Sequence, residues 1–179
     1  VRTKKQRLHE AADREAASRP GSRLETWLTW HLSRGLFGRI VRESVERHPF
    51  VYGDRERVRV HPTAVINNAL LNAASGTITV GEWAMLAHGV QLLTGTHDIG
   101  RQGRDRQQAV PTSGRDIVIE PGAWVASGAV VLGPAVIGAN AVVAAGAVVR
   151  GDVPANTVYG GVPAVELRPA PAPATPPAP

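Results

Sequence analysis

The sequence predicts an all-β core, a parallel β-helix of hexapeptide repeats wound as a three-sided prism, with an N-terminal α-helical segment before it. Three observations predict this fold. Large aliphatic residues recur every sixth place at Val80, Leu86 and Leu92, and again at Ile119, Val125, Val131, Ile137, Val143 and Val149. The residue four places after each is small or β-branched: Ala84, Val90 and Thr96, then Ala123, Ala129, Ala135, Ala141, Ala147 and Val153. The 179 residues include only two Phe, two Tyr and one Met, against 19 Gly and 14 Pro. The chain therefore turns often and must fill its interior with small and branched side chains.

A period of six is neither helical nor a simple alternation. It suits a coil of three short strands, each side of the prism taking one hexapeptide. The aliphatic residue fills the prism, and the small one lets the chain round the corner. Gly81, Gly122, Gly128, Gly133, Gly138 and Gly146 lie where permissive backbone is wanted. Each coil buries its core only against its neighbours. Residues 119–154 predict two coils, residues 80–97 a third, and residues 60–79 a less regular fourth. Its phase holds from Val60 to Ile66 and slips before Val80. A small prism with flat sides predicts side-by-side association, as a homotrimer.

The flanking segments differ in kind. Residues 1–21 form a basic, flexible leader ending at Pro20-Gly21. In residues 22–50, Ser22-Arg23-Leu24-Glu25 fits a helix-capping box. Leu24, Trp27, Leu28, Leu32, Leu36, Phe37, Ile40 and Val41 then follow at spacings of three and four, which places them on one helical face. That face packs on the domain body or a neighbouring subunit, or else contacts a membrane surface peripherally. Residues 51–168 form the β-helix domain, and residues 169–179, rich in Ala and Pro, an extended disordered tail. Between His97 and Ile117 the repeat breaks, and residues 98–116 leave the prism as a loop carrying Arg101, Arg104, Arg106 and Arg115. A loop of this length inside a compact repeat is usually functional.

Composition removes several function classes. There is no cysteine, so disulfides, Cys-ligated zinc and thiol nucleophiles are excluded. The net charge of +5 arises in the first 50 residues, which hold 11 Lys and Arg against 6 Asp and Glu; residues 51–179 hold 9 of each. A neutral body behind a basic leader does not suit a nucleic-acid binder. No apolar run approaches the roughly 18 residues of a membrane span. The N-terminus lacks the apolar stretch of a secretory signal. The expected residence is cytoplasmic, with a peripheral position at the inner face of the membrane if residues 22–50 touch lipid.

Six histidines occur: His9, His31, His48, His61, His88 and His97. His97 differs by place, closing its hexapeptide where the long loop departs, so its side chain points outward. From position alone it is either a functional imidazole or a solvated corner residue. Here a resemblance becomes specific. Thr94-Gly95-Thr96-His97-Asp98, the loop, and then Ile117 to Ser127 resemble the hexapeptide-repeat O-acetyltransferases, left-handed parallel β-helices that include galactoside, maltose and colanic acid acetyltransferases. Asp152 to Ala164 resembles the family's closing segment. The resemblance covers about residues 58–168. The leader and the Thr-Gly-Thr-His-Asp string look closer to the polysaccharide-modifying type.

The resemblance implies acetyl-CoA as co-substrate, no metal, and a sugar or glycan acceptor. It implies His97 as the general base. A sugar hydroxyl attacks a thioester poorly until its proton is withdrawn, and a positioned base contributes roughly 10²–10⁴ in rate. Asn67, 30 residues earlier, matches the family's active-site Asn, or else is a polar corner residue. Asp98 is expected to help orient His97. Trp124 and Ser127 match the Trp and small residue that line the cleft, where nearby backbone could supply an oxyanion donor. Ala126, Ala144 and Ala145 would let the CoA arm approach. Arg168 matches a basic position of the family's closing helix. Departures occur at Arg150-Gly151, where many members carry Thr-Lys, and at Val165, where many carry Lys or Arg. Phosphate contact is therefore expected from Arg150 and Arg168. An acidic position that binds sugar in the galactoside enzymes falls at Ser75, so galactoside specificity does not carry over.

Other readings stay in view. The same base would serve an N-acetyltransferase acting on an aminosugar or an antibiotic-like amine. A non-catalytic β-helix interaction module would keep the prism without the chemistry. A β-helix carbonic anhydrase needs three close histidines, and His88 and His97 lack its spacing. A nucleotidyltransferase with this prism as its tail would need a preceding nucleotide-binding domain, for which the 179 residues leave no room.

Overall fold

The computed structural model describes residues 27–28 and 48–171. The chain divides into two units, Val1–Ser44 and Val45–Pro179. In the first, Trp27 and Leu28 are helical. The expectations for the leader, for the rest of residues 22–47 and for the tail beyond Pro171 lie outside the described residues. Among the described residues no helix is long and apolar enough to cross a membrane.

The second unit is a left-handed parallel β-helix with three sheets as its faces. The first face stacks β1 (Phe50–Gly53), β3 (Leu70–Ala73), β6 (Gln91–Leu93), β9 (Val130–Leu132) and β12 (Val148–Arg150) in that order. The second stacks β2 (Val58–Val60), β4 (Ile78–Val80), β7 (Ile117–Ile119) and β10 (Ala135–Ile137). The third stacks β5 (Met85–Leu86), β8 (Trp124–Val125), β11 (Val142–Val143), β13 (Thr157–Gly161) and β14 (Ala164–Pro169). Neighbours pair in parallel, except that β14 returns antiparallel along β13. The chain visits the faces in the same order on every coil. Coil-to-coil bonding therefore satisfies the backbone groups that a lone short strand would leave unpaired.

The core follows the period-six series. All nine large aliphatics and all but one of their small partners are buried. The exception is Thr96, which is half-exposed. The chain has already left the prism there, and Ile117, in register with Ala135, fills the inward place. The first coil begins a strand earlier than the periodicity indicates, at Phe50, whose register partner is Leu70. The irregular phase before Val80 has two origins. Ile66 and Leu71 stand five residues apart, and Leu71 and Val80 nine apart, the extra residues forming the corner around Ser75 and Gly76. A side chain at Gly76 would collide with the Arg115 backbone, so the corners of successive coils are in close contact.

Candidate active site

The long loop grows from the corner between the first and second faces, and its two ends are clasped. On the outgoing side Thr94 is fully buried, its hydroxyl donating to the Asn72 carbonyl at 2.7 Å and accepting from the Ser75 N–H at 3.1 Å. On the returning side Arg115 Nε donates to the Thr94 carbonyl at 2.8 Å. Asp116 accepts from the N–H and the hydroxyl of Thr77, at 2.7 and 2.8 Å. Those two donors hold its carboxyl below the usual carboxylate range. Arg57 Nη1, from the first coil, donates to the Thr112 carbonyl at 2.7 Å. The loop is therefore tied at both ends and along its return.

Within this frame His97 is exposed, and its Nδ1 lies 3.0 Å from the Arg106 carbonyl oxygen. A carbonyl oxygen can only accept, so Nδ1 carries a proton, and in the neutral ring the Nε2 lone pair is left to accept one. The carbonyl is available because of where it sits. Helix α1 (Gly103–Gln108) is a short turn of helix, and the last carbonyls of a helix lack intrahelical donors. Asp105 O takes the Ala109 N–H, and Arg106 O takes His97.

Asp98 is turned elsewhere. Its carboxylate accepts from the Gly100 N–H at 2.9 Å and from Arg101 Nε at 3.1 Å, while its own N–H donates to the Ala109 carbonyl. It shapes the start of the loop, and the contact that orients the imidazole comes from Arg106. Arg106 is one of four loop arginines in a stretch without period, and no pattern there singles it out.

Five of the remaining candidates gather at another corner, between the third and first faces. Asn67 adopts a left-handed backbone, φ 35, and its amide donates to the Leu86 carbonyl at 2.8 Å. It is a corner asparagine linking two coils. On later coils the same corner carries Ala126 and Ser127, then Ala144 and Ala145. The Gly146 N–H donates to the Ser127 carbonyl, and the Ala144 N–H to the Tyr159 carbonyl. Ala126 is buried, Ala144 half-buried, and Ser127 and Ala145 exposed. A Cβ built at Gly128 or Gly146 would meet open space, so this corner is a low ridge along which an extended chain can lie. Trp124, 44% exposed, stands on the outer side of the third face, in register with Met85 and Val142.

The structure thus groups Asn67, Ala126, Ser127, Ala144 and Ala145, and places His97 and Asp98 at the far edge of the first face. A hexapeptide at full extension spans roughly 20 Å. Arg150 ends β12 on the first face and is exposed. Arg168 lies in β14, because the chain closes with a β-hairpin where the resemblance implied a helix. Its Nη1 donates to the Pro169 carbonyl at 3.3 Å. Ser75 is fully buried and offers nothing to a ligand. Among the described residues no group of three or more His, Asp or Glu side chains could hold a metal ion.

Comparison with known proteins fits this architecture. Residues 116–151 match the family model described as bacterial transferase hexapeptide (six repeats). Those 36 residues are about a fifth of the 179-residue chain. The matched segment spans β7 to β12, the part with regular corners. A galactoside acetyltransferase in complex with coenzyme A is 20% identical, with a TM-score of 0.56 over 85% of this chain and 84% of that one. A polysialic acid O-acetyltransferase is 21% identical, with a TM-score of 0.52 over 63% of this chain and 53% of that one. A hexapeptide-repeat-containing acetyltransferase from Vibrio cholerae O1 biovar eltor, complexed with acetyl coenzyme A, is 25% identical, with a TM-score of 0.49 over 82% and 85% of the two chains. These are likenesses of fold. No curated protein sequence matches the chain.

Proposed function

We propose that this hexapeptide-repeat protein is an acyltransferase that moves acetyl from acetyl-CoA to a hydroxyl of a sugar, or of a polysaccharide or glycolipid precursor. The observation that carries the proposal is the state of His97. It stands at the mouth of a clasped loop, its Nδ1–H given to the Arg106 carbonyl, so Nε2 is the proton acceptor. The hydroxyl oxygen attacks the thioester carbonyl carbon while its proton passes to Nε2. The tetrahedral intermediate then collapses, the C–S bond breaks, and the imidazolium returns the proton to the CoA thiolate. A base of this kind contributes roughly 10²–10⁴ in rate.

The CoA arm is assigned to the ridge of Ala126, Ser127, Ala144 and Ala145, with Arg168 supplying a cation for its phosphates and Arg150, which lies on the His97 edge of the first face, reaching them from the neighbouring copy. The ridge and His97 lie on opposite edges of the first face, whereas a general base must come within about 3 Å of the proton it takes. The site is therefore built from two copies, His97 of one beside the ridge of the next, and repetition of that contact closes a homotrimer. The outer column of Val65, Met85, Trp124 and Val142 on the third face is the apolar surface available for the contact. Asn67 on the ridge would then face the acceptor.

Free-thiol release from acetyl-CoA, measured with a panel of sugars, glycolipids and amines, tests this directly. Turnover should appear with hydroxyl acceptors and fall at least ~100-fold in His97→Ala while the protein keeps its oligomeric state. Near-normal turnover in that variant removes His97 as the base, and preference for the amines moves the reaction to nitrogen.

A further inference from the structure

We propose that Arg106 is a positioning residue that fixes the tautomer of His97 through the fold of the loop. The consequence for turnover rests on the acyl-transfer reading; the effect on the ring does not. Arg106 belongs to α1, on the returning limb of the loop. Its guanidinium reaches across to the outgoing limb, where Nε donates to the Arg101 carbonyl at 2.7 Å and Nη2 to the Ile99 carbonyl at 3.4 Å. Its own carbonyl receives the His97 ring at 3.0 Å. One residue thus binds two carbonyls just past His97 and offers a third to the imidazole. The distance between ring and carbonyl is set by the grip of the side chain on the opposite limb.

The choice of arginine follows from this geometry. Guanidinium carries five donors in a rigid fork and no acceptor, so it can bind two separate carbonyls without rotating. A lysine ammonium at the end of a flexible stem is less suited to holding both. Asp98 and Arg101 close the start of the loop, and the Asp98 N–H bonds the Ala109 carbonyl, so the loop stays closed at its base when the guanidinium is removed. What is lost is the registration of α1 against the outgoing limb. The Arg106 carbonyl is then free to drift from Nδ1. A free imidazole side chain favours the Nε2–H tautomer, which blocks the nitrogen that must accept the proton.

The test uses the full chain, labelled with 15N, and long-range 1H–15N spectra of the His97 ring assigned by comparison with His97→Ala. At a pH where the ring is neutral, the wild type should show the Nδ1–H tautomer. Arg106→Ala, which keeps the backbone carbonyl, should shift the ring toward the Nε2–H form, and Arg106→Lys should fall between. Thiol release from acetyl-CoA in Arg106→Ala should drop by roughly 10- to 100-fold in kcat, with the acetyl-CoA KM within about twofold. A wild-type tautomer retained in Arg106→Ala overturns the proposal. If the ring changes tautomer but neither wild type nor variant releases thiol, the positioning role stands and the acyl-transfer reading falls.

Discussion

Two corners of the prism obey opposite rules. At the corner between the second and third faces, successive coils place Trp83, Gly122, Asn140 and Asn156 in equivalent positions, all with left-handed backbone, φ between 55 and 71. One conformation is repeated on four successive coils, and the first coil, with Thr63 at this place, does not adopt it. At the corner between the first and second faces the first four coils each take a different path. The first makes a 3-10 turn at Arg55–Arg57, the second bulges around Ser75 and Gly76, the third extends the long loop, and the fourth passes through Gly133-Pro134. Strand register survives all of it: Leu71, Leu92, Val131 and Val149 stay aligned along the first face, as do Val60, Val80, Ile119 and Ile137 along the second. Lengthening a loop costs little, about 0.6 kcal/mol for each doubling. A corner whose flanking strands are held by the ladder is thus free to carry chemistry, and the repeating corner is not.

The strongest way to break this contrast is to make the variable corner regular. Replacing residues 94–116 by Gly-Pro copies the fourth coil. The variant should give a cooperative thermal melt and a β-sheet circular dichroism spectrum. Its thiol release from acetyl-CoA should fall to background, at least ~100-fold. A variant that cannot fold would show that the prism needs the loop, and one that keeps activity would place the chemistry elsewhere.

A second comparison sets one substitution at both corners. Gly122 (φ 71) lies beneath Asn140, and a Cβ there would overlap the Asn140 Oδ1. Gly114 (φ 82), in the loop, has nothing within 4 Å of an added Cβ. Both carry the roughly 1–2 kcal/mol cost of a left-handed alanine, and Gly122→Ala should lose more than Gly114→Ala in chemical denaturation because only Gly122 adds the overlap with Asn140. Equal losses would mean that the repeating corner is no more constrained than the loop.

The contrast also explains how much the sequence disclosed. The period of six located every core position from Val80 to Val153 except Ile117, which fills the inward place that the period assigned to Thr96, because an inward side chain on a stacked coil must be apolar whatever else changes. It missed β1, where Phe50 and Tyr52 point outward and Val51 alone packs against the core. The place of His97 was readable because the repeat stops beside it. Its partner was not. The Arg106 carbonyl is a backbone group in an aperiodic segment, and nothing in the side-chain order marks it. Asp98 was the natural candidate by adjacency, and its side chain is taken up by Gly100 and Arg101. The left-handed column at Trp83, Gly122, Asn140 and Asn156 could have been found by aligning the hexapeptides, since three of its members are Gly or Asn.

The loop's return should leave a pH signature. Asp116 has its folded-state pKa lowered beneath the ordinary value of 3.8, chiefly by the Thr77 N–H and then by the Thr77 hydroxyl. A depressed carboxylate stabilises the fold above its unfolded-state pKa and loses that contribution as pH falls through the folded-state value. In urea titrations, wild type should therefore exceed Asp116→Asn in stability at neutral pH. The gap should close below about pH 4. A gap that persists unchanged to pH 2 would mean that the charge of Asp116 adds nothing to the clasp.

The smallest expected effect comes from the one residue that breaks the rule of its own corner. Trp83 holds φ 56 where the other members of its column are Gly or Asn. A bulky side chain in that conformation is strained, and Trp83 gains little burial in return, being 65% exposed. Its N–H is satisfied by the Thr63 hydroxyl at 2.9 Å, a bond that any residue at the position can make. Trp83→Asn brings the position into line with Asn140 and Asn156 and should stabilise the chain by roughly 0.5–1 kcal/mol, a rise in melting temperature of a few degrees at this size. The measurement is a pair of melts under identical conditions, with the oligomeric state of each protein determined in parallel. A fall in stability accompanied by loss of the oligomer would show that the indole is buried against another copy. The strain at this corner would then serve assembly, and the rule of the repeating corner would hold only where no neighbour sits.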